Sequence, residues 1–233
     1  MKVVIFVYRG MTLLDAIGPY EVLRNLKDVE ILFVSKDGKP VTADSTFLEI
    51  NPKYQIENIT KADILLIPGA PVGYLRILKD KRILNWIKQI HPQTLRTTSV
   101  CTGSIILAAA GLLTDKKATS HWKTIQQLSD YGAIPIRERV VEEGKIITAA
   151  GVSAGIDMAL YLLHTLEGEV AAKAAQLAIE YDPKPIFDSG NFLTAEKSVI
   201  QEAERKMKIA AKKELTLMDL LRNIGPLLKM RNY

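Results

Sequence analysis

Residues 95–113 read Leu95-Arg-Thr-Thr-Ser-Val-Cys101-Thr-Gly-Ser-Ile-Ile-Leu-Ala-Ala-Ala-Gly-Leu-Leu113. The first six residues read as a buried strand, and 105–113 as an unbroken helical run. Between them stand one nucleophile-type side chain, Cys101, and three small residues, Thr102, Gly103 and Ser104. A strand, a nucleophile on a sharp turn and a small-residue helix start is the layout of a nucleophile elbow. The turn would hold the thiol at the carboxyl end of a parallel strand, where open α/β sheets present their ligands. The N-terminus of the following helix would face the sulfur and favour the thiolate, which predicts a thiol pKa below its ordinary value. A structural cysteine buried at a strand end is the competing reading, because free cysteine is among the most buried residue types.

Outward from this segment, strand-like and helix-like patterns alternate. Residues 2–8, 29–35 and 62–67 read as strands, and the third is stopped by Pro68-Gly69. Helical patterns cover 13–26, 82–90, 122–131, 153–166, 169–180 and 195–213. Residues 41–50 look like an edge hairpin, and 139–141 with 145–148 pair around a Glu-Glu-Gly turn. The alternation predicts an α/β fold with a mostly parallel sheet covered by helices.

Composition narrows the function classes. Apolar residues make up 48% and charged residues 24% of the 233 positions, proportions that place the chain among globular proteins. No stretch is apolar for the ~20 residues of a membrane span, and the short apolar run after Met1-Lys2 is interrupted at Arg9. The expected location is the cytoplasm. With a single cysteine and three scattered histidines, His91, His121 and His164, neither a disulfide nor a metal site is expected. Net charge is +5, but residues 205–233 hold eight basic and two acidic residues, leaving 23 basic against 24 acidic in the preceding part. The body therefore offers no basic field for nucleic acid.

Several segments are similar to those of one superfamily. Thr98-Ser-Val-Cys-Thr-Gly-Ser104 resembles the nucleophile segment of the DJ-1/ThiJ/PfpI proteins, and Asp15-Ala-Ile-Gly-Pro-Tyr-Glu-Val-Leu23 their first-helix entry. Ile67-Pro-Gly-Ala70 resembles the Gly-Gly turn, and Ala118-Thr-Ser-His-Trp122, Ile147-Thr-Ala-Ala-Gly-Val-Ser-Ala-Gly-Ile-Asp157 and Glu180-Tyr-Asp-Pro-Lys-Pro-Ile-Phe-Asp-Ser-Gly190 match further family segments in order. The resemblance covers residues 1–195. It implies a three-layer sandwich of the flavodoxin-like, class I glutamine amidotransferase-like kind. Residues 196–233 then form a basic amphipathic helical extension, whose apolar positions Leu215, Leu217, Leu220, Leu221 and Ile224 predict docking on the domain or a partner subunit.

Within the superfamily the likeness is to the isonitrile hydratase branch. That branch implies joint catalysis by Cys101, Thr102 and Asp15, addition of water to a small isonitrile and no cofactor. Asp15 would hold or pass a proton; its bland alternative is a helix N-cap. Gly69 and Ala70 are expected to supply backbone N–H donors, although alanine at position 70 departs from the family's second glycine and would be strained at φ > 0. Pro71 ends that donor set. His121 is a candidate pocket residue or a hydrogen-bonded histidine at a helix start. The peptidase branch carries a histidine where Thr102 stands, which counts against proteolysis. Ser153 and Asp157 read as cap and packing positions, Glu180 and Asp182 as network or interface positions. Two other classes stay open: a thiol stress protein of glyoxalase, deglycase or redox-sensing type, and a ligand sensor without turnover. The resemblance also implies a homodimer. The regulators of the superfamily add a paired helix-turn-helix module, for which the 38 residues after the matched region are expected to be too few.

Overall fold

The structure, a computed structural model, describes residues 1–44 and 46–214. In chain order it runs β1 (Lys2–Phe6), α1 (Leu13–Leu23), β2 (Glu30–Ser35), the hairpin β3 (Val41–Thr42) and β4 (Glu49–Ile50), then β5 (Tyr54–Gln55). There follow β6 (Ile64–Ile67), the single turn α2 (Tyr74–Ile77), α3 (Lys81–Ile90), β7 (Arg96–Val100) and α4 (Gly103–Ala109). Short strands β8 (Lys117–Ala118) and β9 (Ile134–Pro135) flank a 3₁₀ segment, Ile125–Tyr131. The remainder is β10 (Val140–Glu143), β11 (Ile146–Ala149), α5 (Ala154–Glu167), α6 (Glu169–Ala178) and α7 (Lys197–Glu214).

The main sheet has the order β10-β11-β7-β6-β1-β2-β5 and is parallel except for β10 against β11. Central strands β1 and β6 are runs of Val, Ile, Leu and Phe, and Val3 to Phe6 and Ile64 to Ile67 are wholly buried. Burial on both faces is what such unalternating runs require. Strand β7 is different. Thr97, Thr98 and Ser99 are fully buried polar residues. Thr98 Oγ1 donates to the Leu65 carbonyl at 3.0 Å, and Thr97 Oγ1 lies 2.8 Å from both His91 Nδ1 and Thr94 Oγ1, so these two hydroxyls are satisfied locally, whereas Ser99 Oγ has no hydrogen-bond partner among the described residues. Helices α1 and α5 pack on each other, as do α3 and α4, and the two groups flank the sheet.

Several boundaries differ from the sequence reading. Helix α4 stops at Ala109 because Gly111 takes φ +79°, a left-handed conformation that ends a helix. The helical pattern at 122–131 is a tighter 3₁₀ run closed by Gly132 at φ +76°. In the C-terminal extension, α7 meets the body through Lys123 Nζ to Glu204 Oε1 at 2.5 Å and through Arg76 to Glu214 at 3.6 Å. Residues 215–233, which hold most of the apolar positions behind the docking expectation, lie outside the described residues.

Candidate active site

The neighbours β1, β6 and β7 end side by side, and the segments that follow them bring together Asp15 in the first turn of α1, Gly69 with Ala70, and Cys101. Cys101 has φ +58°, a left-handed conformation that a non-glycine residue adopts at a cost of about 1–2 kcal/mol. Its surroundings hold it there. The Cys101 N–H is shared between the carbonyls of Ala149 at 3.0 Å and Ala150 at 2.7 Å. Its carbonyl accepts from Ser104 Oγ at 3.1 Å and from Ser120 Oγ at 3.0 Å. A strained residue of nucleophile type, tied at both backbone groups, points to a functional turn.

Asp15 is fully buried in the first turn of α1. It is not the N-cap. Thr12 occupies that position, and its hydroxyl donates to Asp44 Oδ2 at 2.9 Å. Asp15 Oδ2 accepts from the Gly69 N–H at 2.9 Å, and Oδ1 has no hydrogen-bond partner. Burial pushes the carboxyl up to about 7, and the nearby Asp44 charge adds to the rise; the Gly69 N–H and the Cys101 thiol act against it.

The expectation of a low thiol pKa is corrected here. Burial pushes the Cys101 thiol well above its ordinary value, and the Asp15 charge pushes it further. The Thr102 N–H and hydroxyl favour the thiolate but do not prevail. Burial thus favours the protonated thiol, beside a carboxyl pushed up to about 7, and interacting groups of this kind titrate jointly rather than singly.

Thr102 is locked to Ala70. Its hydroxyl donates to the Ala70 carbonyl at 2.9 Å and accepts from the Ala70 N–H at 2.8 Å. Both expected backbone donors are therefore engaged by the site itself, Gly69 by Asp15 and Ala70 by Thr102, rather than standing free for an anion. Ala70 is not among the residues with positive φ, so its departure from glycine brings no strain. Gly69 is required for a different reason: a Cβ there would lie 2.5 Å from Thr102 N and 2.8 Å from Cys101 Cβ.

His121 is half-buried, and burial pushes its pKa down to about 4, so the ring is neutral at physiological pH. Nδ1 accepts from the Lys123 N–H at 3.3 Å, and no hydrogen bond joins it to the thiol among the described residues. It lines a cavity of about 420 Å³ together with Leu14, Ser120 and Ala150. Cys101 is not part of that lining; the cavity meets the elbow through residues that bond its backbone. Ser153 makes no side-chain cap and accepts from Arg139 at 3.3 Å, while Asp157 pairs with Arg139 and accepts from the Tyr181 hydroxyl at 2.8 Å.

The sequence reading missed Tyr8 and Tyr74. Tyr8 donates to the Pro68 carbonyl and Tyr74 to Gln127 Oε1, both at 3.0 Å and both buried. Burial pushes both phenols up, and an ionised Cys101 would push them further. Tyr8 ends an otherwise apolar strand segment, and that break in pattern was its available signal. Among the described residues no group of His, Cys, Asp and Glu is arranged to hold a metal ion.

Linkage makes the Asp15 assignment testable. A folded-state pKa near 7 against 3.8 means the native state binds the proton more tightly than the unfolded chain. Stability is then fully present below about pH 4 and falls as pH rises through 7, by about 4 kcal/mol at ~1.4 kcal/mol per pK unit. Asp15→Asn removes this loss. Its melting temperature relative to wild type is expected to be higher near pH 8 than near pH 4, and a pH-independent difference in thermal scans would contradict the assignment.

A thiol on a left-handed elbow, with a buried carboxyl from the first helix beside it, defines a class of α/β proteins organised around one cysteine. The chain belongs to the DJ-1/PfpI family, whose profile matches residues 1–165. It is 43% identical over 193 residues to the isonitrile hydratase of Pseudomonas putida, covering 83% of this chain and 84% of that one. Among solved structures, a THiJ/PfpI family protein from Pseudomonas syringae superposes with a TM-score of 0.86 at 37% identity, over 91% of this chain and 88% of that chain. The transcriptional regulator CdhR of Pseudomonas aeruginosa is 31% identical over 58% of this chain, which spans 40% of the regulator.

Proposed function

We propose that this chain is a cysteine-dependent lyase that adds water to a small isonitrile and releases an N-substituted formamide. The observation that carries the reading is the Cys101 thiol on its left-handed elbow beside the fully buried Asp15 carboxyl, which burial pushes up to about 7. An isonitrile carbon has to gain both a proton and a nucleophile. Sulfur of Cys101 bonds to the terminal carbon, and the thiol proton, passed by Asp15, ends on the same carbon to give a thioimidate. Water then adds to that carbon, nitrogen takes one of its protons, and sulfur leaves and recovers the other. The sum is one isonitrile and one water to one formamide, with the enzyme restored. Thr102, fixed by Ala70, holds its N–H against the sulfur and steadies the charge that develops there. The 43% identity to the Pseudomonas putida isonitrile hydratase supports the substrate class. The test is formation of formamide from small isonitriles, followed by proton NMR. Methylglyoxal and peptide amides run in parallel, and turnover of either with isonitriles untouched would overturn the reading.

We also propose that the protein acts as a homodimer. Phe47 and Ile186 are each 90% exposed, and Phe187, Val170 and Leu177 are exposed as well, apolar side chains that a second copy of the chain would cover. Light scattering at micromolar concentration is expected to give twice the 25.9 kDa chain mass; a monomer would refute it.

A further inference from the structure

The cavity beside the elbow has a distinctive wall. The Trp122 and Phe192 rings stack at 5.0 Å and 14°, and His121 lies against Trp122 at 5.5 Å and 37°. The Arg137 guanidinium lies over the Phe192 ring, 5.3 Å from its centroid. Four flat groups in series therefore form one side of a space of about 420 Å³, within the range of ordinary small-molecule sites. Leu14 and Val152 contribute apolar surface elsewhere in the lining.

The charges of the wall cancel. Arg137 and Glu138 both line the cavity, and neither has an ion-pair partner among the described residues. Arg139 is held by Asp157. His121 is neutral because burial disfavours its charged form. A charged ligand therefore meets no net field, whereas a flat aromatic ligand gains dispersion and quadrupole contacts along the whole series.

The cavity is also placed to serve the thiol. Ser120 and Ala150 bond the backbone of Cys101, Leu14 precedes Asp15, and all three stand in the cavity lining. An isonitrile group is a linear rod, so a substituent seated against this wall can project its terminal carbon towards the elbow. Resting on the isonitrile reading above, we infer that this cavity seats the substituent on the isonitrile nitrogen and selects one that is flat, uncharged and aromatic.

The experiment compares kcat/KM of the full chain for benzyl, 4-carboxybenzyl and methyl isonitrile, in wild type and Phe192→Leu. Benzyl isonitrile is expected to exceed both others by about tenfold or more, the scale on which apolar pockets discriminate. Phe192→Leu is expected to reduce the benzyl-over-methyl ratio several-fold. Ratios near one in wild type, or a ratio unchanged in the variant, overturn the inference while leaving isonitrile hydration standing. A second arm needs no turnover: N-benzylformamide is titrated against wild type and Phe192→Leu, with quenching of indole fluorescence as the readout. Tighter binding than N-methylformamide, weakened by Phe192→Leu, supports the aromatic site even where no isonitrile is consumed and the proposed reaction has failed. Equal binding of the two formamides overturns it.

Discussion

Cys101→Ala is expected to lower isonitrile turnover by about 10⁴-fold or more, the loss seen when the nucleophile of a coupled catalytic group is removed. At ~1.4 kcal/mol per decade this corresponds to about 5.5 kcal/mol of transition-state stabilisation. The fold should survive. Alanine keeps a Cβ at φ +58°, so the backbone strain is retained, and the bonds from Cys101 N–H and C=O to Ala149, Ala150, Ser104 and Ser120 involve no side-chain atom of Cys101. The melting temperature is thus expected to move by only a few degrees while activity disappears. Cys101→Gly adds a control, since glycine accepts the left-handed conformation and relieves about 1 kcal/mol. Substantial formamide production by Cys101→Ala would eliminate the thioimidate and leave the site as a binding pocket.

Gly103→Ala is expected to cost about 3 kcal/mol or more in stability. A Cβ at position 103 would sit 2.1 Å from the Ile67 carbonyl oxygen and 3.0 Å from its carbonyl carbon. Both belong to the backbone of β6, which is hydrogen-bonded on either side and cannot retreat without breaking a central ladder. Overpacking against flexible side chains costs 1–3 kcal/mol, and a rigid neighbour places the effect at or beyond the upper end. At 2–4 °C per kcal/mol for a chain of this size, the melting temperature should fall by roughly 10 °C. Gly111→Ala provides the comparison. Its Cβ meets nothing within 4 Å, so only the φ of +79° is penalised, by about 1 kcal/mol. Equal effects from the two substitutions would show that α4 can slide away from β6.

The layered α/β fold was legible in the amino-acid pattern because the runs at β1 and β6 are unalternating and apolar, and only a parallel sheet buried on both faces accommodates them. The elbow was legible too, since a nucleophile between a strand and small helix-starting residues is a local arrangement. Asp15 could be nominated by resemblance, but its state could not. The sequence reading foresaw a thiolate favoured by a helix N-terminus, and that effect is real at the Thr102 N–H. Only the tertiary structure shows that it is outweighed, because desolvation depends on how completely β1, β6 and β7 with their helices enclose the thiol and the carboxyl. The same holds for Gly69 and Ala70, whose N–H groups are committed to Asp15 and Thr102 across separations of 54 and 32 residues. Local sequence determined which elements form and where the cysteine sits. Solvation, partner choice and the stacking of Trp122 on Phe192 in the cavity wall were decided by packing, since these energies depend on distances between groups that the chain brings together only when folded.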